Sequence, residues 1–377
     1  MSDFFSVDFL TTLRDRVLPG LWPLLLAFVI CVAATPLMIR LSRRTGLMAV
    51  PSPRHPHRQP TPLLGGLAMF LGFAVAVIVL VPHSVDATGV VVVSALATIL
   101  LIADDRWPVR PIVKFGLQLL VALVAVAAFG FVITFVGLPN PGGHSHAVEL
   151  GLLAIPLTLF WLLGMQNTVN FLDGVDGLAA GVTFIVALTL LIAAAGAPGP
   201  NRATVVMLAG ALAGTCAGFL LFNFHPARIF MGDSGSHFLG VAVGVISILG
   251  VSKVAVGFAL AAPILALALP IADTAWAIVR RRMVKKSSMA EPDLQHLHHR
   301  LQAFGLNPRQ TCYVYYATTA ATGTIGLLVF GHRRILAVVL VTALVLGSTL
   351  AADWLQRAGW RIPAPFLRRL LAEPGTR

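Results

Sequence analysis

Two polar runs stand between long apolar stretches of this chain. They are Asn167-Thr168-Val169-Asn170-Phe171-Leu172-Asp173-Gly174-Val175-Asp176-Gly177 and Phe230-Met231-Gly232-Asp233-Ser234-Gly235-Ser236. Carboxylates and carboxamides beside flexible glycines are the oxygen donors that suit a hard divalent cation, and glycine loops let backbone N–H groups approach a phosphate. Acids beside a bilayer are costly, so their presence argues for a task. Asp233, between glycines, is the best metal-ligand candidate; a turn aspartate bonded to its own backbone is the plainer alternative. In the first run the polar residues recur every third position. On a helix each such step turns by about 60°, so Asn167 and Asp176 would face opposite ways. Asn170 and Asp173 then make the best local pair, with Asp176 brought in by unwinding at Gly174 or Gly177.

Three more polar runs carry reactive types. Asp104-Asp105-Arg106-Trp107-Pro108 sets two carboxylates side by side, with Lys114 and Gln118 following at i, i+4 spacing. Neighbouring carboxylates repel, which raises one pKa and suits a proton acceptor; a solvated pair matched by Arg106 is the alternative. Pro51-Ser52-Pro53-Arg54-His55-Pro56-His57-Arg58 is held extended by its prolines, and its cations fit either an anionic substrate or lipid headgroups. His296-Leu297-His298-His299-Arg300 follows the basic run Arg280–Lys286. With no cysteine nearby, and His298 facing away from its neighbours on a helix, phosphate binding fits these histidines better than zinc. Cys31, Cys216 and Cys312 fall in apolar segments and read as small core residues.

Membrane spans must position these runs. Of 377 residues 57% are hydrophobic and 11% charged, with mean hydropathy +0.87, which defines an all-α polytopic membrane protein. At roughly 20 residues per crossing about eleven spans emerge. They lie near 20–40, 63–82, 88–103, 112–136, 150–166, 178–196, 203–222, 236–251, 254–279, 312–331 and 335–353. The whole of 1–377 reads as one integral membrane domain ending in a basic tail, 354–377. The loops on one side, with that tail, hold 21 of the 27 lysines and arginines, which makes that side cytoplasmic and leaves the N-terminus outside. Every polar run falls on that side. The net charge of +12 therefore reports orientation and gives no case for nucleic acid. Walker, dinucleotide and Gly-x-Ser-x-Gly signatures are absent.

Taken in order, the runs resemble the polyprenyl-phosphate N-acetylhexosamine-1-phosphate transferases. The match is to the WecA/TagO-like branch of glycosyltransferase family 4, within the MraY superfamily. It covers 43–301 and is carried by the Asp-Asp pair, Asn-x-x-Asn-x-x-Asp-Gly-x-Asp-Gly, Gly-Asp-Ser-Gly-Ser and His-x-His-His-Arg. Ala49, His55 and Leu63 depart from the family's usual first loop, whereas Arg54 and His57 match it.

The resemblance implies a bacterial cell-membrane enzyme with a cytoplasmic site. It would move N-acetylglucosamine-1-phosphate from UDP-N-acetylglucosamine to undecaprenyl or decaprenyl phosphate and release UMP. It implies Mg²⁺, with Mn²⁺ as a substitute, held by Asp233 and Asn170. Asp104, Asp105, Asp173 and Asp176 take the catalytic positions. His296, His298, His299 and Arg300 would hold the donor phosphates. With Lys114, Arg54, His57 and Asn167 they complete the expected substrate-binding set. Membrane lipid and a second copy in a homodimer are the other expected partners. The alternatives are a phospho-N-acetylmuramoyl-pentapeptide transferase and, from another class, a transporter.

Overall fold

The computed structural model describes residues 13–49, 60–107, 109–138, 146–196, 202–251 and 307–329. Arg54, His57, His296, His298, His299, Arg300, the ninth and eleventh expected spans and the basic tail lie outside them. The described helices are α1 (Leu18–Thr45), α2 (Gly65–Leu80), α3 (Val85–Arg106), α4 (Pro111–Phe129), α5 (Ala154–Leu172), α6 (Leu178–Gly196), α7 (Arg202–Asn223), α8 (Gly232–Val251) and α9 (Pro308–Val329). Among the described residues seven helices are long and apolar enough to cross a bilayer, namely α1 with its leading π turn and α3 to α8. At 16 residues α2 is about 24 Å long, short of a full hydrocarbon layer.

Local chemistry sets the helix ends. Pro111 opens α4 without wasting a donor, and Ser84 caps α3 by accepting from the Ala87 N–H at 3.1 Å. Arg43 and Arg44 sit in the last turn of α1, at the negative end of its dipole, before Gly46 ends the helix.

The protein is mostly α-helical, as expected, with two small antiparallel pairs added: Met48–Ala49 (β1) with Thr61–Pro62 (β2), and Phe135–Leu138 (β3) with His146–Glu149 (β4). Two span boundaries need correction. The fourth span was expected to run to 136, yet α4 stops at Phe129 because Gly130 turns left-handed at φ 67°. The β-branched run Val132-Ile133-Thr134 that follows is apolar enough to look like span but is better suited to extended chain. Conversely, the fifth span was expected to end at 166, and α5 carries on through Asn167 and Asn170 to Leu172. Nothing in that stretch breaks a helix before Gly174.

Interior packing relies on small residues. Gly210, Gly214 and Gly218 of α7 lie against the backbone carbonyls of Gly20, Leu24 and Phe28 in α1. Trp22, Leu25, Val29 and Leu37 of α1 are exposed on its other side. Small residues inside and large apolar ones outside is the arrangement expected where lipid, not water, surrounds the bundle.

The described parts of the α1–α2 and α3–α4 loops, the α5–α6 and α7–α8 loops and the start of α9 meet at one end of these helices. Backbone N–H groups of Gly65 and Gly66 donate to the Phe230 and Met231 carbonyls at 3.0 and 2.9 Å, and Phe230 N–H donates to Pro62 at 2.8 Å. A Cβ on Gly66 would collide with the Gly235 backbone, which explains the glycine pair opening α2. At α9 the Tyr316 hydroxyl donates to the Gly177 carbonyl at 2.7 Å, and Arg309 Nε to that of His225 at 2.9 Å.

Candidate active site at the helix ends

Three helices converge on Asp233. From α4, the Lys114 ammonium lies 2.6 Å from Asp233 Oδ2 and 3.3 Å from Asp104 Oδ2. From α5, Asn170 donates through Nδ2 to Asp233 Oδ1 at 2.6 Å and to Ser236 Oγ at 2.9 Å. Asp104, on the last turn of α3, is buried and also accepts the Val109 N–H at 2.8 Å. Asp173 sits just past the end of α5. Burial, with the negative charges of Asp233, Asp105 and Asp176 around it, pushes its carboxyl well above the usual carboxylate range, and Lys114 only partly offsets this.

Asp105 takes a different part from the one expected. Its Oδ1 accepts the Asp233 N–H at 2.7 Å and its Oδ2 the Ser234 N–H at 3.2 Å. Both oxygens are thereby committed to the first turn of α8, where a negative charge also meets the positive end of the helix dipole. Gly232 has φ 70°, and a Cβ there would lie 2.7 Å from either carboxylate oxygen. Asp105 is a cap supplied from another helix. Asp105→Ala should lower the thermal midpoint in detergent by the equivalent of about 1–2 kcal/mol, with Asp105→Asn milder because one acceptor survives. A wild-type midpoint with turnover lost would make Asp105 a chemical group instead.

Asp176 also turns away from the cluster's centre. Its Oδ2 lies 2.8 Å from His225 Nδ1 and accepts the Ala227 N–H at 3.0 Å, fixing the turn between α7 and α8. Gly177, at φ 85°, supplies the expected unwinding, but it sends Asp176 toward this turn. Asn167 points inward as well. It donates to the Leu163 carbonyl at 2.8 Å and to Gln118 Oε1 at 2.9 Å, which makes it a contact between helices.

Sequence reasoning assigned no site role to His237, Ser236, His225 and Asn223. His237 is fully buried on α8, with Nε2 2.8 Å from Gln118 Nε2 and Nδ1 2.7 Å from the Asp233 carbonyl oxygen. Asn223 accepts the Gly177 N–H at 3.0 Å and donates to the Ile229 carbonyl at 2.9 Å, tying the two acid runs together. A usable signal existed. Lys114 and Gln118 stand at i, i+4, as do Asp233 and His237, so two facing helices can pair them on two levels.

The donor set suits a hard divalent cation. Among the described residues Asp104 and Asp233 flank the ammonium of Lys114, Asp105 and Asp173 add two further carboxylates nearby, and Asn170 adds a carboxamide. The excess of negative charge, expressed in the raised Asp173, is what a cation would relieve. Among the described residues no three His, Cys, Asp or Glu side chains already form a metal-holding group, so ligation would draw on the carboxamide and on ligands from a substrate.

Apolar helices long enough to span a bilayer, with an acid-rich polar site gathered at one end of the bundle, define a multi-pass membrane protein. The chain belongs to glycosyl transferase family 4, whose model matches residues 87–251. It is 35% identical over 81% of its length to the "Probable undecaprenyl-phosphate N-acetylglucosaminyl 1-phosphate transferase" of Bacillus subtilis (strain 168), of which the match covers 83%. It is 36% identical over 85% of its length to the decaprenyl-phosphate N-acetylglucosaminephosphotransferase of Mycolicibacterium smegmatis, covering 82% of that protein. A phospho-N-acetylmuramoyl-pentapeptide-transferase of Heliobacterium modesticaldum is 34% identical over 73% of this chain and is covered to 85%.

Proposed function

We propose that this protein transfers N-acetylglucosamine-1-phosphate from UDP-N-acetylglucosamine to a polyprenyl phosphate, yielding polyprenyl-diphosphate-N-acetylglucosamine and UMP. The observation that carries the reading is the convergence of Asp104, Lys114 and Asn170, from three helices, on Asp233 at one end of the bundle. The names of the Bacillus and Mycolicibacterium relatives support the donor and the acceptor.

In this reaction an oxygen of the lipid phosphate bonds to the β-phosphorus of the donor. The bond from that phosphorus to the oxygen bridging the α-phosphate breaks, and its electron pair leaves with UMP. The attacking oxygen is already largely ionised at neutral pH, since the second pKa of a phosphate monoester is about 6. No side chain has to remove a proton, which agrees with Asp105 being bound to backbone and Asp104 being paired with Lys114. Asp233 would hold Mg²⁺, or Mn²⁺ in its place, beside Asp104 and Asp173, joined by the side-chain oxygen of Asn170 once its amide, whose NH₂ faces Asp233 here, turns over. When bound, the ion supplies charge neutralisation for the diphosphate and the leaving oxygen. Lys114 exchanges a carboxylate for a phosphate oxygen as substrate arrives. Arg54, His57, His296, His298, His299 and Arg300 bring further positive charge to the donor phosphates.

The same reading places eleven spans in a bacterial cell membrane, with the N-terminus outside and both the site and the basic tail in the cytoplasm. This follows from the distribution of lysine and arginine. A cytoplasmic site meets its soluble nucleotide donor directly, while the polyprenyl chain stays in lipid. Two copies would associate through lipid-facing helices.

Purified protein supplied with Mg²⁺ and polyprenyl phosphate should release UMP from UDP-N-acetylglucosamine and not from UDP-N-acetylmuramoyl-pentapeptide. The site run His296-Leu297-His298-His299-Arg300 lacks the three consecutive histidines of the pentapeptide enzymes. Release from the pentapeptide donor alone would replace this reading with the muramoyl one.

A further inference from the structure

The polar contacts between α4, α5 and α8 form two levels. The upper one, at the helix ends, joins Lys114, Asn170 and Asp233. One helical turn deeper, Gln118 and His237 pair across α4 and α8, and Asn167 on α5 completes a second triangle. Each member of the lower level stands three or four residues along its helix from its upper counterpart, so a change of register below is carried directly to the acids above.

The lower level has one arrangement of protons. The Leu163 carbonyl can only accept, so the Asn167 atom 2.8 Å away is its NH₂. That group also donates to Gln118, at 2.9 Å, which must present Oε1 there and hence turn its own NH₂ to His237. His237 Nε2 therefore accepts and carries no proton. At the far end the Asp233 carbonyl can only accept, so His237 Nδ1 holds the hydrogen. The chain runs between two backbone carbonyls, one on α5 and one on α8, and every hydrogen in it has a partner. An imidazolium would set N–H against N–H at Gln118, so the ring is neutral and acts through direction rather than charge.

We propose that His237 is a positioning residue: with Gln118 and Asn167 it locks α4 and α5 to the first turn of α8 and thereby fixes where Asp233 presents its carboxylate to a divalent cation. The proposal rests on the transferase reading for its effect on turnover, though not for its effect on cation binding. Asp105 holds the same turn from the opposite direction by accepting its N–H groups, whereas His237 donates to its carbonyl. The burial of Gln118 and His237 leaves no water to replace a lost partner.

The test compares His237→Leu, His237→Asn, Gln118→Leu and the double leucine variant with the unaltered protein. Mn²⁺ binding is read by electron paramagnetic resonance, thermal midpoint in detergent, and kcat and KM by UMP release at varied Mg²⁺. Each single variant should weaken Mn²⁺ binding and raise the half-saturating Mg²⁺ by roughly 10–100-fold, the range for residues that orient a metal ligand. KM for the nucleotide sugar should stay unchanged while kcat falls. The double variant should be no worse than the poorer single one, since both break one chain. His237→Asn keeps a donor for the Asp233 carbonyl but cannot reach Gln118, and as the gentler change it decides the matter if the leucine variants do not fold. Wild-type Mn²⁺ binding in folded His237→Asn or His237→Leu, or additive losses in the double variant, would overturn the proposal. Weakened Mn²⁺ binding in the variants, with no UMP released by the unaltered protein, would uphold the positioning role and sink the transferase reading alone.

Discussion

Asp233→Asn should lose turnover on the order of a thousandfold while the protein still folds and inserts. The substituted side chain keeps its size and can still accept from Asn170, but it loses the charge that pairs with Lys114 and would pair with a cation. The helix beneath it has independent support, because Asp105 grips the backbone N–H groups of residues 233 and 234 and not the side chain. Removing a carboxylate from a crowd of carboxylates also relieves repulsion, which the raised Asp173 already registers. Loss of the 2.6 Å ion pair with Lys114 opposes that relief, so the thermal midpoint should shift little or fall slightly while activity disappears. UMP release and a melting curve in detergent measure both halves. Near-normal turnover at saturating Mg²⁺ would remove Asp233 from the centre of the site.

The second large effect lies far from the chemistry. Gly214→Ala should destabilise the bundle by about 2–3 kcal/mol, although alanine favours a helix over glycine by about 1 kcal/mol. The new Cβ would press on the Leu24 carbonyl, and a clash with backbone cannot be relieved by rotating a side chain. Gly116→Ala, on α4, is the control, since nothing lies within 4 Å of a Cβ there. It should be neutral or stabilising. Opposite signs for the same substitution in two helices would show that close approach of backbones, not helix propensity, holds α1 to α7. Equal signs would refute this packing argument.

Much of this architecture could be read from residues alone, for identifiable reasons. Long apolar runs mark helices wherever lipid or protein surrounds them, so expected and observed helices coincide through most of the described chain. The polar runs were legible because carboxylates stand out in such a background, and their gathering at one end followed from counting spans. Which acid does what was not legible. Asp104 and Asp105 are neighbours of identical chemistry, and only the approach of α8 makes one a partner of Lys114 and the other a cap. The period-three spacing of Asn167, Asn170, Asp173 and Asp176 looked like a problem for a single site. The helix in fact continues to Leu172, so the first two occupy successive levels and the last two lie beyond its end. His237 escaped notice because nothing local distinguishes it from any polar residue inside a span; its role depends on Gln118, 119 positions earlier. The β3–β4 hairpin was hidden by β-branched residues, which serve a span and a strand equally well.

The central claim is that a phosphosugar, and not a sugar alone, moves to the lipid. Donor UDP-N-acetylglucosamine labelled with ³²P in its β-phosphate separates the two outcomes, because the claim requires cleavage between the two phosphorus atoms. Incubated with the protein, Mg²⁺ and polyprenyl phosphate, the label should pass to the lipid fraction while unlabelled UMP is released. Label retained in released UDP, with N-acetylglucosamine alone on the lipid, would contradict it.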